Sequence, residues 1–364
     1  MLSGLKNRKI KFKRWLLKIQ RPRGHSFSRH NFLRLDKNER VDPFSKTEIK
    51  QITKSLTSNL LQSYPETETI YAQLARHYRL PRTSFVVTAG SDAAIRLAFE
   101  AFVTPRSEVI RWEPTFAMLD VYGKIFQAKQ KKVSAEPNTF NRPEKILRLI
   151  NDKTSLIYLA NPNSPTGTTF SYDSLQHILQ VAQTKGVPVF IDEAYFGFFT
   201  SSVIPSVKKH KNLIVSRTFS KSEGLAGLRI GFLVADPFLA QLLYRLRPMY
   251  EISSVAVEGA RFALNHPKIG NRYIQEVNES KNLLKKFAKR HNLFFVDSPA
   301  NFVHMGFRKS KSRAIQFLKK KGVLCRPGIG PKPLKDLVRI SVGSKHTTFI
   351  LIKKIADMLV TKSE

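Results

Sequence analysis

Lys221 stands in the run Arg217-Thr-Phe-Ser-Lys-Ser-Glu-Gly-Leu-Ala-Gly-Leu-Arg-Ile-Gly-Phe232, after the apolar stretch Leu213 to Val215 and before a glycine-containing bend. A lysine just beyond a buried strand can face a cleft, and its primary amine can condense with a carbonyl. An ordinary basic loop would carry the same residues, so this segment alone leaves both readings open. Asp192 ends a second apolar run, Val187-Pro-Val-Phe-Ile191, at the edge where strand carboxylates reach ligands in open α/β sheets. It suits a protonated ring nitrogen, and it suits Mg²⁺ too, but the chain has neither the Walker pattern nor the dinucleotide glycine fingerprint. Gly90-Ser91-Asp92 opens a helical pattern, where a hydroxyl, free N–H groups and a permissive glycine can hold phosphate or simply cap the helix. Arg229, eight residues after Lys221, can return across the bend to that phosphate with a bidentate fork. An amine for an imine, a carboxylate for a ring nitrogen and a phosphate cradle are the requirements of pyridoxal phosphate, an electron sink while its pyridine stays protonated.

The elements that must hold these groups alternate. Phe85-Val-Val87 reads as a buried strand before a helix through Ala93, Ile95, Leu97, Ala98 and Phe99, and Val109-Ile110 is another short strand. Leu156-Ile-Tyr-Leu-Ala160 enters the turn Asn161-Pro-Asn-Ser-Pro-Thr-Gly167, and a helix over Tyr172 to Lys185 leads to the strand ending at Asp192. Short apolar strands separated by helices imply an α/β fold, a mostly parallel central sheet covered by helices on both faces. After a long helical pattern from Asp236 to Asn265, a basic amphipathic helix over 270 to 291, short strands, a helix over 310 to 321 and a last helix from Thr347 to Val360 add a smaller α+β domain. The expected divisions are a basic arm over 1–34, a joining segment over 35–50, a large domain over 51–265 and a small domain over 266–364, with the N-terminal segment crossing to the small domain.

Composition narrows the function classes. At 364 residues and 42% apolar content the chain can bury a large core. The formal charge is +35, and residues 1 to 35 hold eleven Lys or Arg and no acid, about a third of the excess. Within that arm, Lys9, Lys11, Lys13, Arg14 and Lys18 interleave with Phe12, Trp15, Leu16 and Ile19. A helix there would have an oily face able to pack on a partner subunit, anionic lipid or nucleic acid. The other basic clusters, at 129–132, 208–211, 285–290 and 319–321, make no zinc-finger or RNA-reader pattern. The single cysteine, Cys325, rules out an intrachain disulfide framework and fits a reducing, cytoplasmic setting. No apolar run approaches the roughly 18 residues of a spanning helix.

The order of these motifs resembles the fold type I aminotransferase superfamily, in particular its histidinol-phosphate aminotransferase branch. The resemblance runs from about Leu35 to Leu359 through Leu-Asp-Lys-Asn-Glu from residue 35, Ala-Gly-Ser-Asp from 89, Glu-Pro-Thr-Phe from 113 and Asn-Pro-Asn-Ser-Pro-Thr-Gly from 161. It continues through Ile-Asp-Glu-Ala-Tyr from 191, Ser-Lys-Ser-Glu-Gly-Leu-Ala-Gly-Leu-Arg from 220 and Val-Arg-Ile-Ser-Val-Gly from 338. The resemblance implies that Lys221 bonds to the cofactor and carries protons, Asp192 pairs with the ring nitrogen, Tyr195 meets the ring hydroxyl and Phe116 stacks on the ring. It assigns the cofactor phosphate to Gly90, Ser91, Asp92, Ser220 and Arg229, with Tyr64 arriving from the partner subunit of a homodimer. Arg339 and Arg326 become anion contacts for substrate, and Asn38 helps define the amino-acid pocket. The implied reaction is amino transfer between glutamate and a phosphorylated carbonyl compound; decarboxylation of a phosphorylated amino acid and a vestigial binding protein are the alternatives. One departure stands out: Ser164 occupies the place before Pro-Thr-Gly where the family has asparagine, leaving Asn163 or a water to reach the ring oxygen. No proline follows Glu39 either.

Overall fold

The structure is a computed structural model and describes residues 13–19, 27–134 and 142–360. Its centre is a seven-stranded sheet in the order Phe85–Thr88, Gly231–Ala235, Leu213–Thr218, Val189–Asp192, Thr154–Ala160, Glu108–Glu113, Lys129–Ser134. All neighbours pair in parallel except Gly231–Ala235, which runs antiparallel to both of its neighbours. Parallel strands covered on both faces need apolar residues at successive positions. The runs deliver them: Ile157, Leu159, Val189, Ile191 and Val215 enter one core, against Leu175 and Ile178 of the helix Tyr172–Thr184. Tyr158, Phe190, Ile214 and Leu233 enter the other, against Ile95, Ala98 and Phe99 of the helix Ser91–Phe102.

Strand alternation therefore fixes the direction of the sheet's polar ends. Asp192 shares a face with Phe190, the face that carries the helix Ser91–Phe102, so its carboxylate is aimed toward that helix's first turn. Glu193, one residue on, turns the other way. It is buried, accepts two hydrogen bonds from Arg217 at 3.0 and 2.8 Å, and the Arg217 guanidinium lies 3.2 Å from the Phe196 ring centroid.

A second, antiparallel sheet has the order Arg326–Pro327, Val338–Ser341, Phe302–Met305, Phe295–Val296. Val303, Met305, Val338 and Ile340 of this sheet join one core with residues of the helices Pro267–Arg290, Lys311–Lys320 and Lys345–Val360. Its other face carries Phe302, His304, Arg339 and Ser341, paired in register. The N-terminal segment does cross to this part: Leu33–Arg34 pairs in parallel with Val323–Leu324. Leu35, 1% exposed, plugs the same core, a burial worth about 2 kcal/mol for one leucine.

One expectation needs correction. The helical pattern from Asp236 to Asn265 is two helices, Pro237–Tyr244 and Ser254–Asn265. Pro248 explains the break, since it lacks an N–H and disfavours helix in the residue before it. The basic cluster at 129–132 is a strand, the sheet edge beside Glu108–Glu113, where lysines blunt an exposed edge. Of the oily-faced N-terminal helix only a 3₁₀ turn, Arg14–Lys18, falls in the described residues; Lys9, Lys11 and Phe12 lie outside them. No helix among the described residues is long and apolar enough to cross a membrane. Cys325 is buried beyond Leu324, and burial pushes its thiol up to about 12.

Candidate active site

Asp192 is 6% exposed at its strand end. Ser216, its register partner on the neighbouring strand, donates to Oδ1 at 2.7 Å, and Tyr158 donates to Oδ2 at 3.2 Å. Burial raises its pKa; the hydrogen bonds oppose that without cancelling it. Among the described residues no cation forms a salt bridge with it. A carboxylate so desolvated is complementary to a positively charged ring nitrogen.

The first turn of Ser91–Phe102 offers the anion site. Gly90 adopts φ +80°, and a Cβ there would sit 3.0 Å from Arg229 Nη2, so glycine lets the arginine approach. Arg229, itself left-handed at φ 52°, donates to Ser220 Oγ and the Ala89 carbonyl, both at 3.4 Å. Ser91 Oγ is buried near enough to the Asp192 carboxylate to act on it, yet makes no hydrogen bond of ordinary geometry among the described residues, and a bound oxyanion would give it one. Asp92 has another use, since its carboxylate accepts from Tyr122 Oη at 2.9 Å. Only its backbone N–H remains for an anion.

Lys221 closes the other side. Its Nζ donates to the Lys37 carbonyl at 3.2 Å and lies 5.6 Å from the Tyr195 ring centroid. Tyr195 Oη accepts from Asn38 Nδ2 at 2.9 Å, so its own proton is left to point into the site. Asn38 holds φ 54°, a region asparagine tolerates better than most side chains. Ser341 Oγ donates to its Oδ1, its N–H donates to Ser341 Oγ, and Asn301 donates to its carbonyl. Asn38 is only 2% exposed; where the sequence suggested a pocket wall, the structure shows a brace for Tyr195. Phe116 is partly exposed ahead of the helix Met118–Ile125.

Asn163 is likewise turned inward. Its Nδ2 donates to the Pro114 carbonyl and Thr166 Oγ1, and Thr115 donates to its Oδ1 at 2.7 Å. With both amide hydrogens spent on the loop, it cannot donate to a ring oxygen in place of the asparagine that Ser164 replaces. Tyr64 is 72% exposed and stacks on Tyr250 with ring centroids 4.0 Å apart.

Arg339 donates to the Asp36 carbonyl at 3.0 Å and lies 5.5 Å from the Phe302 ring centroid. Its register partner toward the edge is Arg326, which is exposed and whose charge helps depress the Arg339 pKa after burial. On the other side its partner is His304, which the sequence reading passed over. His304 is fully buried, and burial followed by the Arg339 charge depresses it to about 4. The ordinary unfolded value is about 6.5. Between those values the unfolded chain binds the extra proton, so stability is present above the window and lost as pH falls through it. Relative to His304→Phe, the wild type should lose roughly 3 kcal/mol of stability between neutral pH and pH 4, read from denaturant midpoints at each pH. Parallel curves for the two proteins would rule this out.

The arrangement fits pyridoxal phosphate. The Ser91 hydroxyl with Ser220 and Arg229 suits the phosphate, uncompensated Asp192 the ring nitrogen, Tyr195 the ring hydroxyl and Lys221 the carbonyl carbon. Sequence reasoning missed Tyr158, Ser216 and His304; polar residues inside otherwise apolar strands were their only signal.

Comparison with known proteins gives a consistent result. The sequence profile of aminotransferase class I and II matches residues 30–355. The chain is 32% identical over 330 residues to a histidinol-phosphate aminotransferase of Dehalococcoides mccartyi, covering 90% of each. By structure it matches histidinol-phosphate aminotransferase from Sinorhizobium meliloti, solved in complex with pyridoxal-5'-phosphate, at TM-score 0.80 and 23% identity over 90% of both chains. It also matches L-threonine-O-3-phosphate decarboxylase from Porphyromonas gingivalis at TM-score 0.76 and 21% identity, over 90% of this chain and all of that one. These two structural likenesses speak for the fold.

Proposed function

The chain belongs to the class I and II aminotransferases, in the histidinol-phosphate aminotransferase-like branch, and from that premise we propose that it transfers an amino group between glutamate and a phosphorylated carbonyl compound. Its cofactor is pyridoxal phosphate, which when bound supplies the sink for the electron pair left as a bond at the amino-acid Cα breaks. The observation that carries the reading is a buried Asp192 carboxylate that no cation pairs among the described residues, together with the Lys221 amine 5.6 Å from the Tyr195 ring centroid. Asp192 holds the positive ring nitrogen. The Lys221 amine would hold the cofactor at its carbonyl carbon and, when free, would take the proton from the substrate Cα. Tyr195, braced by Asn38, orients the ring hydroxyl, and Arg229, Ser220 and Ser91 anchor the phosphate. Arg339, with Arg326 at the edge, takes the substrate's anionic groups. The functional unit is a homodimer in which Tyr64 completes the partner's phosphate site.

Two experiments test this. Holoenzyme mixed with glutamate should convert to the amine form of the cofactor with release of the oxo acid and no CO₂; CO₂ release from a phosphorylated amino acid without that conversion would assign it to decarboxylation. Mixing inactive Lys221→Ala and Tyr64→Ala proteins should restore about a quarter of wild-type activity, because half the random dimers then hold one intact site. Absence of recovery, with dimers formed, would exclude shared sites.

A further inference from the structure

His304, Arg339 and the Ser164-Pro165 turn leave a set of unmet hydrogen-bonding groups that match one another. His304 is fully buried, yet among the described residues neither ring nitrogen has a hydrogen-bond partner of ordinary geometry. Arg339 lies directly opposite it in the sheet register, on the face that meets Tyr195 through Phe302. Its Nε is also buried and, among the described residues, unpartnered, while Nη2 donates to the Asp36 carbonyl. The Pro165 carbonyl is near enough to the imidazole to act on its proton, though no hydrogen bond of ordinary geometry forms. Orphaned buried donors and acceptors each cost about 1–3 kcal/mol, so three of them on two facing residues call for an explanation.

A neutral imidazole has one N–H and one lone pair. The Arg339 Nε–H can fill the lone pair, and the Pro165 carbonyl can take the N–H. We propose that His304 is a positioning residue for Arg339: when an anionic group of the substrate draws the guanidinium's terminal edge off the Asp36 carbonyl, the imidazole accepts the Nε–H and donates its own N–H to Pro165. The inference rests on the reading of Arg339 as the anion contact. It gives the anion site a second determinant, and it ties that site to the turn bearing Ser164, where this chain departs from its family. The imidazole does not touch substrate. Its pKa, depressed to about 4, keeps it neutral through the working range, as an acceptor must be.

The test uses holoenzyme and two probes, inorganic phosphate titrated by calorimetry and glutamate in the single half-reaction, with His304→Phe, His304→Gln, Arg339→Lys and the double variant His304→Phe/Arg339→Lys. His304→Phe should weaken both probes about ten- to a hundredfold, the scale of a hydrogen bond to a charged group, while the limiting half-reaction rate changes by less than about twofold. His304→Gln, which keeps one donor and one acceptor, should recover most of the affinity. In the Arg339→Lys background, which has no Nε–H at that place, His304→Phe should add less than about twofold. If Arg339→Lys weakens the probes and His304→Phe does not, or if His304→Phe costs the same in both backgrounds, the positioning role is wrong and the Arg339 assignment stands. If Arg339→Lys changes neither probe, the anion-contact reading itself falls and the inference with it. His304→Met replaces the phenylalanine variant should that one fail to fold.

Discussion

Lys221→Ala is expected to lower turnover by at least about 10⁴-fold, since one substitution removes both the covalent nucleophile and the proton carrier. The fold should hardly notice. Lys221 is only half-buried, and among the described residues its amine makes one hydrogen bond, to the Lys37 backbone carbonyl at 3.2 Å, so the stability change should stay within about 0.5 kcal/mol. Methylamine added to the variant should restore part of the proton transfer, because the site around the missing amine stays formed by Tyr195 and Asn38. Two measurements decide it: mass analysis after borohydride reduction, which should find no cofactor bonded to the variant, and turnover with and without methylamine. Covalent cofactor on the variant together with near-normal turnover would remove Lys221 from the mechanism.

Lys221 and Asp192 were legible in the sequence because Asp192 ends a buried strand and Lys221 lies just beyond another, and the end of a strand in a covered α/β sheet has few directions in which to place a side chain. The groups that tune them were not. Asn38 reaches Tyr195 across 157 residues and Ser341 across 303, and no local pattern marks a contact of that span. Alternation could have found Tyr158, since Tyr158 and Ala160 share a face and Ala160 pairs with Asp192, but that inference needs the register. Asn163 failed for a related reason: the motif shows an amide near the ring, while only the packed loop shows that Pro114, Thr115 and Thr166 use it. The split of the Asp236 to Asn265 pattern was readable at Pro248. Its apolar spacing simply outweighed one residue.

Asp192→Asn should separate what the carboxylate does for catalysis from what it costs the fold. Turnover is expected to fall about 10²- to 10³-fold, the scale for deleting one electrostatic stabiliser in a water-poor site, and cofactor should dissociate more readily. The cofactor-free protein should move the opposite way. Burial raises the folded pKa of Asp192 above its ordinary value, so between the ordinary and the raised value the folded chain binds more protons than the unfolded one. Stability contributed by the protonated group is therefore present below that window and lost as pH rises through it. Asparagine carries no such cost and still offers an oxygen to Ser216. The cofactor-free variant should accordingly match the wild type at the acid end and exceed it increasingly as pH rises to neutrality, with the gain reversed once cofactor is bound. Thermal melts of both forms across pH would show it. A wild type more stable than the variant at neutral pH without cofactor would mean that the Ser216 and Tyr158 hydrogen bonds offset the desolvation of Asp192, leaving the carboxylate no unmet demand for a positive ring nitrogen.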